Sequence, residues 1–256
     1  MFIKILFIGD IFGEPGREFL KLQLPELKNK YKYQLLIING ENAAHGRGIT
    51  HKIYKEFMDL GVNVITSGNH IFGNHDVFNF IDNSNLIRPL NYPDCQGSGF
   101  LKINFNGKMI TIINLLGRVY MNLPIDCPFQ VIDKFLKNDQ SDYYFVDFHS
   151  EATSEKIAMG HFLDGRVDAL VGTHTHVQTN DDRILPKGTC YITDVGMTGP
   201  LNGVIGVEKD IIVSRFLKGF GTESFKVATG NRQLNGIFLD LSDNKRPKIE
   251  KIKIYE

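Results

Sequence analysis

The chain has no surplus of either charge: 29 Lys and Arg balance 29 Asp and Glu over 256 residues. It therefore lacks the basic footprint with which proteins grip long nucleic acid, and a small anionic substrate fits better than a polymer. Cysteine is scarce. Cys95, Cys127 and Cys190 are odd in number and form no C-x-x-C, which excludes a disulfide framework and a zinc ribbon. A reducing cytoplasm is the expected compartment, with the three thiols serving as small packing residues. No stretch approaches the ~18 uninterrupted apolar residues of a membrane span. The N-terminal apolar run breaks at Gly9-Asp10 with no cleavage site after it, so no membrane or secretory segment is expected. Repeats, low-complexity tracts and linkers are also missing. With 42% hydrophobic residues and a length that buries roughly 70 to 75% of the unfolded surface, one domain over residues 1–256 is expected.

What is present is a repeated unit of strand, polar turn and helix. Ile3 to Ile8 is an apolar run interrupted only at Lys4, as in a strand buried on both faces, and it stops at Gly9-Asp10. A helix follows from Pro15-Gly16 to about Lys30, re-phased at Pro25. Tyr33 to Asn39 ends in Gly40-Glu41-Asn42, and Ile49, Ile53, Phe57 and Leu60 then lie at helical spacing up to Gly61. Val62 to Thr66 ends in Ser67-Gly68-Asn69-His70, with a short helix over Asp76 to Asp82. Asn106-Gly107 between Phe100–Phe105 and Lys108–Leu115 predicts a type I′ hairpin. Further strands are expected at Tyr143–Phe148, Val167–Gly172 and Thr189–Thr193, and helices from Pro128, over Ala152–Leu163 and over Glu208–Leu217. Gly236–Leu241 and Lys248–Tyr255 read as a closing hairpin around Asp243-Asn244-Lys245. Such units predict parallel strands with right-handed crossovers. The hairpins are expected to add antiparallel strands as a second sheet, giving a layered α/β/β/α sandwich with helices outside.

Ligands of such sheets sit beyond the carboxyl ends of the strands. The polar residues expected there are Asp10, Glu41, Asn42, Asn69, His70, His149, His174 and His176. In an extended backbone, His174 and His176 would point the same way about 6.5 Å apart and face one target. Gly9, Gly13 and Gly16 match neither the dinucleotide nor the P-loop spacing. Mixed oxygen and nitrogen donors instead suit Fe, Mn or Zn, and seven are too many for one ion. Two ions bridged by a carboxylate would use them all. Such a pair, ~3.5 to 4 Å apart, can hold a hydroxide nucleophile and clamp a phosphoryl group. An alkoxide leaving group then needs a proton, and His70 beside Asn69 is well placed as the general acid.

The order GD, GEN, GNH, FH, GTHTH resembles the calcineurin-like metallophosphoesterase superfamily. The segments GDIFGEPGR, NGENAAHGRGIT, TSGNH, VDFHSEATSEK, GTHTHVQT and DVGMTGP resemble its YmdB-like bacterial branch, from about residue 3 to residue 206. The resemblance implies hydrolysis of nucleoside 2′,3′-cyclic monophosphates at a two-metal site, with iron, or else manganese, as the metal. Carried over by position, it implies that Asp10, Glu41 and His176 hold one ion with Asn42 near it. Glu41 would bridge to a second ion held by Asn69, His149 and His174. Two departures from the general superfamily belong to this branch: Asp10 is followed by Ile11-Phe12 rather than x-His, and Glu41 replaces the usual bridging Asp. Asn42 would stand in for the missing imidazole.

The text GNHIFGNHD contains the motif twice, and Asn69-His70 is preferred over Asn74-His75 because it directly follows a strand. His45, Arg47 and Arg118 lie in loops and are candidate phosphate contacts, with a solvated loop charge as the commoner role. His51, His75 and His161 are expected on helices, outside the site. Competing functions are a phosphomonoesterase or nuclease on the same scaffold, and a slow-turnover regulatory metal-binding protein. Oligomeric state, monomer or homo-oligomer, is left open.

Overall fold

The opening apolar run becomes β1 (Lys4–Ile8), and its alternation sets the layering. Ile5 and Phe7 point into one buried cluster, Leu6 and Ile8 into another. Side chains alternate faces along a strand, so a strand apolar from Ile5 to Ile8 is covered on both sides. The computed structural model describes residues 3–221, 223–242 and 246–256. After β1 come α1 (Gly13–Tyr31), β2 (Leu35–Asn39), α2 (His51–Asp59) and β3 (Val64–Thr66). The hairpin β4 (Phe100–Phe105) and β5 (Lys108–Leu116) leads to α3 (Pro128–Asn138), β6 (Tyr143–His149), α4 (Thr153–Leu163) and β7 (Ala169–Thr173). β8 (Arg183–Ile184), β9 (Cys190–Ile192), β10 (Gly199–Pro200), α5 (Lys209–Lys218), β11 (Arg232–Asp240) and β12 (Lys248–Tyr255) complete the order.

Two sheets form. The first runs β10-β11-β1-β2-β3 with β12 on β11, and the second β4-β5-β6-β7-β9-β8. β1, β2 and β3 are mutually parallel, as are β5, β6, β7 and β9. The expected second sheet of hairpins is corrected: β4 and β5 extend the second sheet, whereas β11 and β12 extend the first. Each sheet has its own parallel centre because the strand-turn-helix units are divided between them. Residues 243–245, where the closing turn was expected, lie outside the described residues.

Three apolar clusters separate the layers. One joins the first sheet to α1 and α2, through Phe19, Leu20, Ile53 and Phe57. A second lies between the sheets, where the Phe7 and Phe145 rings stand 5.3 Å apart. A third joins the second sheet to α3 and α4 through Ile132, Met159 and Leu163. This is the α/β/β/α sandwich that the sequence predicts.

Local chemistry explains several boundaries. Asn106 and Gly107 both take positive φ, 51° and 78°, as a type I′ turn requires. Thr50 caps α2 by accepting the Ile53 N–H at 3.3 Å. Pro25 lies inside an unbroken α1 and does not re-phase it. The helix expected over Asp76–Asp82 is instead a series of 3₁₀ turns, Ile71–Gly73, His75–Asn79 and Ile81–Asn83. Among the described residues no helix is long and apolar enough to cross a membrane.

Candidate metal centre

The carboxyl ends of the parallel strands in the two sheets meet at one edge of the sandwich. The first sheet delivers Asp10 after β1, Glu41 and Asn42 after β2, and Asn69 and His70 after β3. The second delivers His149 at the end of β6, with His174 and His176 after β7. All eight residues expected at the strand ends come together. His149 Nε2 lies 3.0 Å from Glu41 Oε1, 3.1 Å from Asn69 Oδ1 and 3.0 Å from His174 Nδ1. At the other end, His176 Nε2 lies 3.9 Å from Asp10 Oδ1 and 3.1 Å from the Asn42 amide nitrogen. Glu41 stands between the two groups, with Oε1 3.3 Å from Asn42 Nδ2 and Oε2 accepting the His70 N–H at 3.1 Å.

The turn carrying the two histidines is not extended. His174 has φ 105° and His176 φ 66°, so β7 ends at Thr173 and the backbone kinks twice. The imidazoles reach the cluster through these kinks rather than by strand alternation, which corrects the geometry expected of His-x-His. The His174 N–H is caught by Asp10 Oδ2 at 3.1 Å, and His176 Nδ1 lies 2.9 Å from the Ile205 carbonyl. His174 Nε2 also meets Glu151, whose Oε2 lies 3.0 Å away.

The duplicated motif resolves in space. His70 Nδ1 lies 3.0 Å from Asn42 Oδ1 and 3.6 Å from Glu41 Oε1. His75 is exposed and packs on Phe78, and Asn74 caps a 3₁₀ turn through the Asp76 N–H. Asp76, which made the second copy look closer to the general motif, accepts the His51 N–H at 2.7 Å at the start of α2. His45, Arg47, Arg118 and His161 are exposed, and His51 stacks on Phe80. Cys190 is buried in β9 and its thiol is pushed up to about 12 by burial.

Beneath the histidines lies a polar network that residue-by-residue reading missed. Asp147 is buried and accepts Thr66 Oγ1 at 2.5 Å, Thr173 Oγ1 at 2.7 Å and Asn39 Nδ2 at 3.0 Å, so it ties the two sheets together. Thr173 spends its only proton on Asp147, which leaves its oxygen to accept from His149 Nδ1 at 2.9 Å. His149 is thereby held with Nε2 directed at Glu41 and His174, and Nε2 would give up its proton to act as a ligand when a cation binds, as an outer hydrogen bond orients a metal-binding imidazole. The available signal was Asp147 itself, a carboxylate two residues before His149 in a run otherwise apolar.

The charges are strongly coupled. Burial would lower His149, but Glu41 and Asp10 outweigh it and raise the imidazole to about 9. Burial would raise Glu41, and the adjacent His149 pulls it down to about 2. His174 is driven down to about 3 by burial and then by His149. Asp10 is raised by burial, against the pull of His176 and His149.

These residues fit a metal. Asp10 Oδ1 is buried and meets no hydrogen-bond partner among the described residues, a costly state for a carboxylate oxygen unless a cation is its partner. The ligand atoms of Glu41, His149 and His174 all lie within 4.8 Å of one another. Gly68 leaves the floor open, since a Cβ there would stand 2.3 Å from Glu41 Oε2.

Comparison with known proteins gives the family. The 2′,3′-cyclic-nucleotide 2′-phosphodiesterase of Bacillus subtilis (strain 168) is 49% identical over 258 residues, covering 98% of this chain and 97% of that protein. The crystal structure of a novel phosphatase from Mycoplasma pneumoniae superposes with a TM-score of 0.94 at 40% identity, covering 100% of this chain and 94% of the other. A hypothetical protein from Thermus thermophilus gives a TM-score of 0.94 at 39% identity, covering 99% of this chain and 100% of the other. A sequence model described as YmdB-like protein matches residues 6–253, and with these relatives it establishes that the chain belongs to the YmdB-like family.

Proposed function

We propose that this protein is a single-domain, cytoplasmic, metal-dependent phosphodiesterase that opens nucleoside 2′,3′-cyclic monophosphates. The observation that carries the reading is the convergence of Asp10, Glu41, His149, His174 and His176 from two sheets, with Asp10 Oδ1 buried and unpartnered among the described residues. Identity to a named 2′,3′-cyclic-nucleotide 2′-phosphodiesterase over nearly the whole chain supports the substrate class. Asp10, Asn42 and His176 would hold one ion, Asn69, His149 and His174 a second, and Glu41 both. Iron is the metal that the family resemblance implies and manganese the alternative, and the oxygen and nitrogen donors suit either. Such ions supply Lewis-acid charge, which draws electron density from the phosphoryl oxygens and acidifies an attacking water.

The chain's own residues do the rest. Glu41 would neutralise charge on both sides of the site, and the Asp147–Thr173–His149 chain keeps the His149 Nε2 directed into it. His70 is about one third exposed and its Nδ1–H donates to Asn42 Oδ1, so Nε2 is the nitrogen left for the departing ribose oxygen and can protonate it only from the imidazolium form, which burial disfavours and the Glu41 carboxylate favours. If the 2′ ester opens, as the relative's name states for that protein, the product is a nucleoside 3′-phosphate.

Purified protein reloaded with iron or manganese should be assayed on cyclic diesters, linear diesters and monoesters, with elemental analysis alongside. About two metal ions per chain and preference for the cyclic diesters are expected. Full activity in metal-free protein would overturn the scheme.

A further inference from the structure

We propose that Lys156 and Asp194 form a positioning pair that holds the turn from His174 to His176 in its metal-binding shape, an inference that rests on the metal reading above. Two successive kinks at non-glycine residues are sparsely populated conformations, and they persist only where the surroundings over-determine them. Asp194 supplies much of that determination. Its Oδ2 accepts both the Thr175 N–H at 3.0 Å and the Thr175 hydroxyl at 2.8 Å, between the two histidines. Its Oδ1 accepts the Gly196 N–H at 2.8 Å, which fixes the carboxylate plane. Its backbone pairs with Thr179, whose N–H reaches the Asp194 carbonyl at 3.0 Å. The turn is thus gripped both between the histidines and just beyond them.

Lys156 completes the device. It projects from α4, is fully buried, and places Nζ 2.6 Å from the same Oδ2 that holds Thr175. Its stem crosses β7 at Gly172, where a Cβ would come within 3.0 Å of Lys156 Cδ. One ion pair therefore locks α4, β7 and the turn after β9 to the backbone of Thr175. A buried ion pair adds little net stability compared with apolar residues of the same volume. Removing one partner, however, leaves an unmatched buried charge. The role consistent with this pair is to specify one conformation, and the conformation it touches is that of Thr175. Among the described residues neither side chain hydrogen-bonds a ligand side chain, so both act by holding the turn that carries the histidines.

The test compares Mn²⁺ binding by metal-free wild type, Lys156→Met/Asp194→Asn and Thr175→Val, with the thermal midpoint of each metal-free protein as the second readout. The double variant removes both buried charges together and should keep its midpoint within a few degrees while binding Mn²⁺ at least ~10-fold more weakly. Thr175→Val keeps the backbone N–H, loses only the hydroxyl bond to Asp194, and should weaken binding by a smaller factor. Wild-type affinity in a folded double variant would overturn the inference alone. If the double variant does not fold, Thr175→Val decides: several-fold weaker binding supports the pair, and unchanged binding overturns it. A wild type that binds no Mn²⁺ or Fe²⁺ overturns the metal reading and this inference with it.

Discussion

Gly68 tests the geometry of the centre more sharply than any ligand does. A Cβ at this position would stand 2.3 Å from Glu41 Oε2, 2.3 Å from His149 Cδ2 and 2.4 Å from His149 Nε2. Carbon and oxygen come no closer than ~3.3 Å in ordinary contact, so both side chains must retreat by about 1 Å. Gly68 is not among the positive-φ glycines, hence alanine meets no backbone strain and the effect falls on the ligands. Overpacking of this kind costs about 1–3 kcal/mol, which a domain of this size survives. A misplacement of 1 Å at a reacting centre costs roughly 100-fold in rate. Gly68→Ala should therefore fold, retain less metal than wild type, and lose about 100-fold in kcat/KM on a cyclic diester. Gly61→Ala is the control: its Cβ meets nothing within 4 Å but its φ is 83°, so about 1 kcal/mol of stability should go while metal content stays. Full metal content and full rate in Gly68→Ala would refute the placement of Glu41 and His149 around a common centre.

Glu41→Gln should reduce metal retention more than Asn42→Ala, because a carboxylate between two cations neutralises charge that an amide cannot; equal metal content in the two variants would contradict this. His70→Ala should keep its metal and lose about 10² to 10⁴-fold on esters with poor leaving groups, less on activated aryl esters, with His75→Ala nearly silent. The reverse pattern would place the working motif at the second copy. Far from the site, burial raises Asp168 from 3.8 to about 6, although its carboxylate accepts the Tyr144 N–H at 2.8 Å. The folded protein then holds a proton that the unfolded chain has released between these values, so stability falls as pH rises through about 4 to 6. At ~1.4 kcal/mol per unit the loss approaches ~3 kcal/mol at neutral pH. Asp168→Asn should be more stable than wild type at pH ~8, with the gap closing toward pH ~4; a denaturant midpoint difference independent of pH would contradict it.

The strand ends were legible because each apolar run stops abruptly at a polar residue, as at Asp10, Glu41 and Asn69. A strand covered on both faces must be apolar throughout, so its end is visible without knowing its neighbours. The division of those strands between two sheets was not legible. Nothing in Ile3–Ile8 says that one neighbour is β2 and the other β11, because pairing depends on crossovers that leave no mark within a strand. The network of Asn39, Thr66, Asp147 and Thr173 was hidden for a related reason. Each is ordinary alone, and their meaning appears only when four strands bring them within hydrogen-bond distance. Of the two GNH copies only the first lies at a strand end, which is why position favours it in the sequence.

The pairing of β1 with β11 bears on how the protein is made. Ile8 pairs with Gly236 and Lys4 with Asp240, so β1 gains its second neighbour only after residues 236–240 have been made. During synthesis β1 and β2 can pair, but the other edge of β1 stays bare, and a bare apolar edge invites pairing with other chains. Contacts this distant in sequence also form slowly. The centre depends on the same event, because Asp10 follows directly from β1. Metal loading should therefore wait until β11 has been made, and a cell making this protein would need either to shield that edge or to translate the intervening strands before it finds another partner.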